Sequence, residues 1–336
     1  MKTVLSYLVI IILAGLLLQA NFFLEPVDPS SSEEVGVVIE RGFSTRRIAE
    51  ELQENGLIHS ALFFNLYTSL KGTDQAMQAG YYELSPADSM REIILDLTSG
   101  NVATFQITIP EGFTVEEVAG RLAELTEHTA EDFLAVARSE EISNLLGESF
   151  PVPENPVIFP VEGFLYPATY TIPRNYSPRE ILGLFIQEFT KRWKQRLLES
   201  GQDLSAYELV TLASMVEKEA QLKEEKPLIA GVIYNRLQEN MLLQIDATIQ
   251  YSLSQRQQIL LYSDLRLDSP YNTYLHQGLP PGPIANPGDN SLEAVLEPRE
   301  TEYLFYFASE DGGHTFSRTY EEHRSRLQEF REQNSN

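Results

Sequence analysis

"YYELSPADSMREIILDLTSG", residues 81–100, changes character half-way along. Strand-forming residues come first and a Ser-Pro turn comes after them. Ser89 and Glu92 then make the S-x-x-E signature of a helix start, in which hydroxyl and carboxylate each take a backbone N–H that the first turn leaves orphaned. Two further segments share the design: "VVIERGFSTRRIAEELQENG" (37–56) and "FQITIPEGFTVEEVAGRLAEL" (105–125), the latter with Thr114 and Glu117 as its box. Apolar residues alternate before each turn and take helical spacing after it, as in Ile48 and Leu52 or Val118 and Leu122. Such strand–turn–helix units predict an α+β fold.

The chain has 336 residues, 43% of them apolar, enough for one large domain or two. Its 25 Lys and Arg against 49 Asp and Glu leave a net charge of −24. So acidic a surface repels nucleic acid, whose phosphates are held by cations, and argues against a polybasic membrane patch. Neutral polymers, small molecules and proteins remain as partners. With no cysteine there is no disulfide, thiolate metal site or cysteine nucleophile.

Residues 4–24 run apolar, interrupted only by Ser6, Gln19 and Asn21. About 20 such residues at 1.5 Å each cross a hydrocarbon core of about 30 Å. Lys2 on the short side keeps the start in the cytoplasm and exports the rest. The rival reading, a signal peptide cleaved after Ala20, would set the bulky Leu18 three residues before the cut. We therefore expect an uncleaved transmembrane anchor over residues 1–24, with the chain at the cytoplasmic membrane and its folded part outside. A polar tether, "EPVDPSSSEEVG", then occupies residues 25–35 and runs into Gly36.

"SPRE" opens another boxed helix at Ser177, with Pro178 at its first position. It carries Ile181, Leu184, Phe185, Phe189, Trp193 and Leu197 toward a core. "LASMVEKEAQL" (212–222) ends a further helix, expected over residues 207–222, whose stripe is Leu209, Leu212, Ala213, Val216 and Ala220. At ~100° per residue, Lys218 falls opposite that stripe and Glu217 and Glu219 lie roughly 80° to either side. Residues two apart on a helix do not face each other, so these carboxylates are not by themselves a glycosidase pair. Spacing does not choose between them, and a solvated helix end explains both.

The segments C-terminal to this helix are denser in chemistry. "GVIYNRLQENMLLQIDATIQY" (231–251) brings Asn235, Arg236, Gln244, Asp246 and Tyr251. "SPYNTYLHQGLPPGPIANPGDNSLEAVLEP" (269–298) brings Tyr271, Asn272, Thr273, Tyr274 and Asn286. Prolines bar its centre from a helix or an inner strand, while aromatic rings and amides suit sugars. A long loop without regular structure inside a domain is usually functional or disordered.

Seven stretches together resemble the endolytic murein transglycosylases of the MltG (YceG-like) family over nearly the whole chain. They are "EGFLYPATY" (162–170), "ASMVEKEA" (213–220), "NRL" (235–237), "LQIDATIQY" (243–251), "YNTY" (271–274), "GLPPGPIANPG" (278–288) and "YLFYFASEDGGHTFSRTYEEH" (303–323). The resemblance implies lytic cleavage of the β-1,4 bond between N-acetylmuramic acid and N-acetylglucosamine, within glycan strands. It places the catalytic glutamate at Glu219. Glu162, Glu217, Asn235, Gln244, Asp246, Tyr251, Asn272, Thr273, Tyr274 and Asn286 are the substrate-binding candidates these stretches carry. Ala168 and Ala220 depart from the family's usual acidic residue and threonine. By the same resemblance, the partners are peptidoglycan glycan strands and the peptidoglycan synthases that make them.

A hydrolase needs two carboxylates, whereas a lytic enzyme can use one as acid and then as base. Burial against Met215 and Val216 would raise the pKa of Glu219 for that double role. If Asp246 lies across a cleft from it, a two-carboxylate hydrolase stays open, as does a non-catalytic scaffold that only binds glycan. None of the five histidines forms HExxH, and GxSxG and a phosphate loop are missing, so no metal or other cofactor is expected. The expected architecture is α+β: an anchor (1–24), a tether (25–35), a small LysM-like module (36–102) and a larger catalytic domain (103–336). "HTAEDFLAVARSEEISNLLGES" (128–149) should add helices to the larger domain, and "HRSRLQEFREQNSN" (323–336) should close the chain as an exposed helix fraying into a tail.

Overall fold

The computed structural model describes residues 19–153, 157–253, 257, 260–310 and 312–333, together with Tyr7 and Gly15. Most of the expected membrane span, and the tail after residue 333, lie outside the described residues. Among the described residues no helix is long and apolar enough to cross a membrane. The fold is mixed α+β and divides into two compact units, residues 1–106 with 171–175, and residues 107–170 with 176–336.

The first unit runs β1 (Val35–Ile39), α1 (Thr45–Glu54), α2 (Ala61–Lys71), β2 (Gly80–Leu84) and α3 (Met90–Ser99). β1 and β2 are antiparallel, Val35 opposite Leu84 and Ile39 opposite Gly80. Alternation puts Val37, Ile39, Tyr82 and Leu84 on one face, where they pack with Ile48, Ala49 and Leu52 of α1, Phe64 of α2, and Ile93 and Leu97 of α3. The box read in the sequence is made: Ser89 Oγ accepts from Glu92 N at 3.3 Å and Glu92 accepts from Ser89 N at 2.7 Å.

β3 (Thr104–Thr108) and β4 (Thr169–Pro173) pair as a second two-stranded ribbon. The second unit continues with α4 (Val115–Ala123), α5 (Ala130–Ala137), α6 (Glu140–Ser143) and α7 (Pro178–Leu198). Next come α8 (Ala206–Glu219), α9 (Lys226–Gln238), α10 (Asp246–Ser252) and α11 (Asp289–Leu296), then β5 (Phe305–Ala308), β6 (His314–Ser317) and α12 (Tyr320–Gln333). Thr114 and Ser177 cap α4 and α7 with complete boxes, and so do Thr129 with Asp132 on α5 and Ser205 with Glu208 on α8. α12 has no buried residue.

Helix α8 is the axis of this unit. Every residue from 209 to 216 is buried, so the expected stripe is in fact a shaft buried all round, with Thr211 and Ser214 as its polar members, as befits a helix packed by α7, α9, α10 and α11. It ends at Glu219, three residues earlier than periodicity predicts, because Ala220 turns to an extended conformation at φ −81° and ψ 121°. The proline segment has no regular structure, as its prolines require, and its C-terminal part is buried. Residues 282–288 are all buried and pass beside α8, with Ile284 N donating to Ser214 Oγ at 3.0 Å. Prolines lack the N–H that burial would orphan, which lets irregular backbone run through a core.

Candidate active site

The last turn of α8 carries both glutamates, and their surroundings differ. Glu217 is buried against Lys226, whose ammonium lies 3.0 Å from both carboxylate oxygens, the two side chains being 9% and 5% exposed. It also accepts from Gly288 N at 3.0 Å and Ser291 Oγ at 2.6 Å. This carboxylate is fully occupied in pinning the end of the proline segment to α8 and α9. Lys218, expected in solvent, is half-buried and donates to Gly112 O at 3.1 Å.

Glu219 faces a cleft of about 300 Å³ that it lines with Lys218, Asp246, Gln250, Tyr251 and the start of α4. Tyr306 donates its hydroxyl hydrogen to it at 3.0 Å. Burial pushes the Glu219 carboxyl above the ordinary range and the charge of Asp246 adds to this, while Tyr306, His314 and Arg236 pull the other way. Its place at the C-terminal end of α8 also disfavours negative charge, since the helix dipole is negative there. Two larger hollows in the same unit, of about 670 and 570 Å³, are lined by neither Glu219 nor Asp246.

Tyr306 is held by its hairpin. β5 and β6 pair with Tyr306 opposite Phe316, and β6 is tied down where His314 N and Nδ1 meet Glu225 at 2.9 and 2.8 Å. From the other side, Arg236 donates to Leu304 O and, at 2.7 Å, to Leu243 O, with its guanidinium over the Phe305 ring. One arginine thereby joins the hairpin to the loop that leads into α10.

The candidates named from the sequence separate into two groups. Glu219, Asp246 and Tyr251 line the cleft, and Tyr274 donates its hydroxyl hydrogen to Asp246. Gln244 is exposed beside them at φ 52°, a left-handed turn that sets up the start of α10. The others are wholly or partly buried with protein partners. Asn235 donates to Thr301 O and Tyr303 O at 2.9 and 3.0 Å. Asn272 donates to Leu265 O and Leu267 O at 3.1 and 2.8 Å, and Thr273 accepts from Ile245 N at 3.0 Å. Asn286 accepts from Leu165 N and donates to Phe113 O, both at 2.8 Å. These side chains hold the loops that shape the cleft, and their polar groups are spent on protein partners.

Glu162 belongs to the buried group. It accepts from Val115 N and from Tyr251 OH at 3.1 Å, and from Asn286 Nδ2 at 3.4 Å. Burial nonetheless pushes its carboxyl up to about 8 against the pull of those donors. It braces Tyr251 from behind the cleft wall. The residues that sequence reasoning missed are Tyr306 and Gln250. Tyr306 sits in the "FYFA" of β5, where only the pairing of the hairpin reveals which hydroxyl meets Glu219.

Comparison with known proteins places this geometry. The profile of the YceG-like family matches residues 37–329. An endolytic murein transglycosylase of Bacillus subtilis (strain 168) is 35% identical over 331 residues, covering 95% of this chain and 91% of that protein. One of Streptococcus pneumoniae serotype 2 (strain D39) is 32% identical, covering 87% of this chain and 57% of that longer protein. The crystal structure of a YceG-like protein from Listeria monocytogenes superposes with a TM-score of 0.62 at 34% identity, covering 88% of this chain and 99% of that one. The match spans both units and the whole of the cleft, and the chain belongs to the YceG-like family.

Proposed function

We propose that this protein is an endolytic peptidoglycan lytic transglycosylase with Glu219 as its acid and base. The observation that carries the reading is the contrast at the end of α8. Of two neighbouring carboxylates, Glu217 is saturated by Lys226, Gly288 and Ser291, while Glu219 opens on a cleft with its proton affinity raised. Relatives that align across the site are named endolytic murein transglycosylases.

In this mechanism protonated Glu219 donates to the oxygen between muramic acid C1 and the next glucosamine, and the C1–O bond breaks. Asp246, on the same cleft, faces the positive charge that develops at C1. The Glu219 carboxylate then takes the proton of the muramic acid C6 hydroxyl as that oxygen closes on C1. The product ends in a 1,6-anhydro ring and no water is consumed.

The wider reading has the protein anchored in the membrane by residues 1–24, cutting nascent strands beside the synthases that polymerise them. The β1–α1–α2–β2 order, with its antiparallel pair, supports a LysM-like glycan-holding role for the first unit. A second reading rests on Asp246: as base for a water, it would make the enzyme a two-carboxylate hydrolase.

Digestion of purified peptidoglycan by the full chain and by Glu219→Gln, with products weighed, separates these. Anhydro-muramic ends, lighter by one water and lost in the variant, support the proposal. Reducing ends transfer the chemistry to the pair with Asp246. Intact strands with binding retained leave a scaffold.

A further inference from the structure

The outer face of α2 in the first unit is apolar and uncovered. Leu62, Leu66 and Leu70 are 83%, 56% and 78% exposed. At ~100° per residue they fall within an arc of about 80°, on the side away from the buried Phe64 and Thr68. Single exposed leucines need no explanation, but three in line along one short helix form a stripe that ordinary surfaces avoid.

Two observations say what covers it. Phe22 and Phe23, at the end of the apolar N-terminal run, stack on this same helix start, Phe22 on His59 at 4.4 Å and Phe23 on Phe63 at 5.0 Å between ring centroids. The stripe therefore lies beside the point where the apolar run ends, and aromatic rings favour the headgroup level of a bilayer. Charge agrees: in a chain of net charge −24, residues 55–73 contain no Asp or Glu, while Lys71 closes the helix. Carboxylates are thus absent from the helix that sets three leucines in line toward the outside.

We propose that α2 is an interfacial helix, its leucine stripe seated among the lipid headgroups and upper acyl chains of the membrane that holds the N-terminal segment. Apolar area on one side of a helix and the lack of repulsion toward anionic lipid are what such binding requires. The proposal rests on the membrane-anchored reading. It adds that the first unit is held flat on the bilayer and is not free on the tether.

The chain has no cysteine, so one introduced thiol carries a unique probe. The full chain, reconstituted in phosphatidylcholine–phosphatidylglycerol vesicles, is labelled with an environment-sensitive fluorophore at Gly15→Cys, Leu66→Cys or Arg91→Cys, the last on an exposed position of α3. Quenching by nitroxide lipids is expected to be severalfold stronger at the first two than at Arg91. Adding Leu62→Glu and Leu70→Glu should return the Leu66 label to the Arg91 value. Strong quenching at Gly15 with Leu66 matching Arg91 leaves the anchor in place and overturns the interfacial helix. No quenching at either defeats the anchor and the proposal together. A Leu66 probe shielded from both lipid nitroxide and aqueous iodide, and cross-linking to a second protein copy, means protein covers the stripe and also overturns it.

Discussion

Glu217 and Glu219 stand two residues apart on the last turn of α8, and one is bound to Lys226 on α9 while the other accepts from Tyr306 on β5. The helix sends them to opposite sides, so an ion-paired carboxylate and a carboxylate that lines the cleft share one turn without sharing a partner.

The pair has a predicted cost when broken. Glu217→Gln leaves the Lys226 ammonium buried and uncompensated, and should lower stability by about 3–5 kcal/mol. Adding Lys226→Met should recover part of that loss, and denaturant midpoints of the two single variants and the double check the coupling. Peptidoglycan cleavage per folded molecule should change little in Glu217→Gln, in contrast to Glu219→Gln, where a loss of roughly 10²–10⁴-fold is expected for a missing general acid.

Two neighbours of Glu219 should move its titration in opposite directions. The charge of Asp246 raises the Glu219 pKa, so Asp246→Asn should shift the alkaline limb of kcat/KM to lower pH. The hydroxyl of Tyr306 stabilises the ionised form, so Tyr306→Phe should shift the same limb upward. Shifts of the same sign in both variants would remove Glu219 as the group that titrates.

Glu162 predicts a pH dependence of folding. Its pKa lies at about 8 in the fold against an ordinary 4.5, so between those values the native state holds a proton that the unfolded chain has released. Unfolding releases that proton there, and stability from this group falls as pH rises, by up to about 1.4 kcal/mol per unit. Urea midpoints between pH 5 and pH 8 should decline more steeply for the native protein than for Glu162→Gln. Parallel curves would mean that Glu162 is ionised throughout.

Gly163 should tolerate no side chain. It adopts φ +85°, and a Cβ there would lie 2.6 Å from Pro283 and 2.9 Å from Val210. Conformational strain and overpacking together predict a loss of about 2–4 kcal/mol for Gly163→Ala, measurable as a lowered Tm.

Local signals carried much of the architecture. Side-chain caps act over three residues, so Ser89, Thr114 and Ser177 announce their helices in the sequence itself. Period-two alternation likewise marks β1 and β2. The length of α8 was less legible, because Glu219 to Leu222 are helix-compatible and only the packing of the next segment turns the chain at Ala220.

For the site, the family resemblance singled out Glu219 and residue type offered Asp246, Tyr251 and Tyr274, and the tertiary structure brought Glu219, Asp246 and Tyr251 to one cleft with Tyr274 bonded to Asp246. The same reading offered Asn235, Asn272, Thr273 and Asn286 as sugar contacts. An amide or hydroxyl can bond a sugar or a backbone equally well, and which it meets depends on loops distant in the chain. Asn286 reaches Leu165 and Phe113 across more than a hundred residues. The sequence determined the caps, the alternation and the acidic surface, since these are interactions of neighbours or of composition. The fold decided which of two neighbouring glutamates is paired with a lysine and which has its proton affinity raised in a cleft, because burial and charge act through space and Lys226 and Tyr306 approach from different elements.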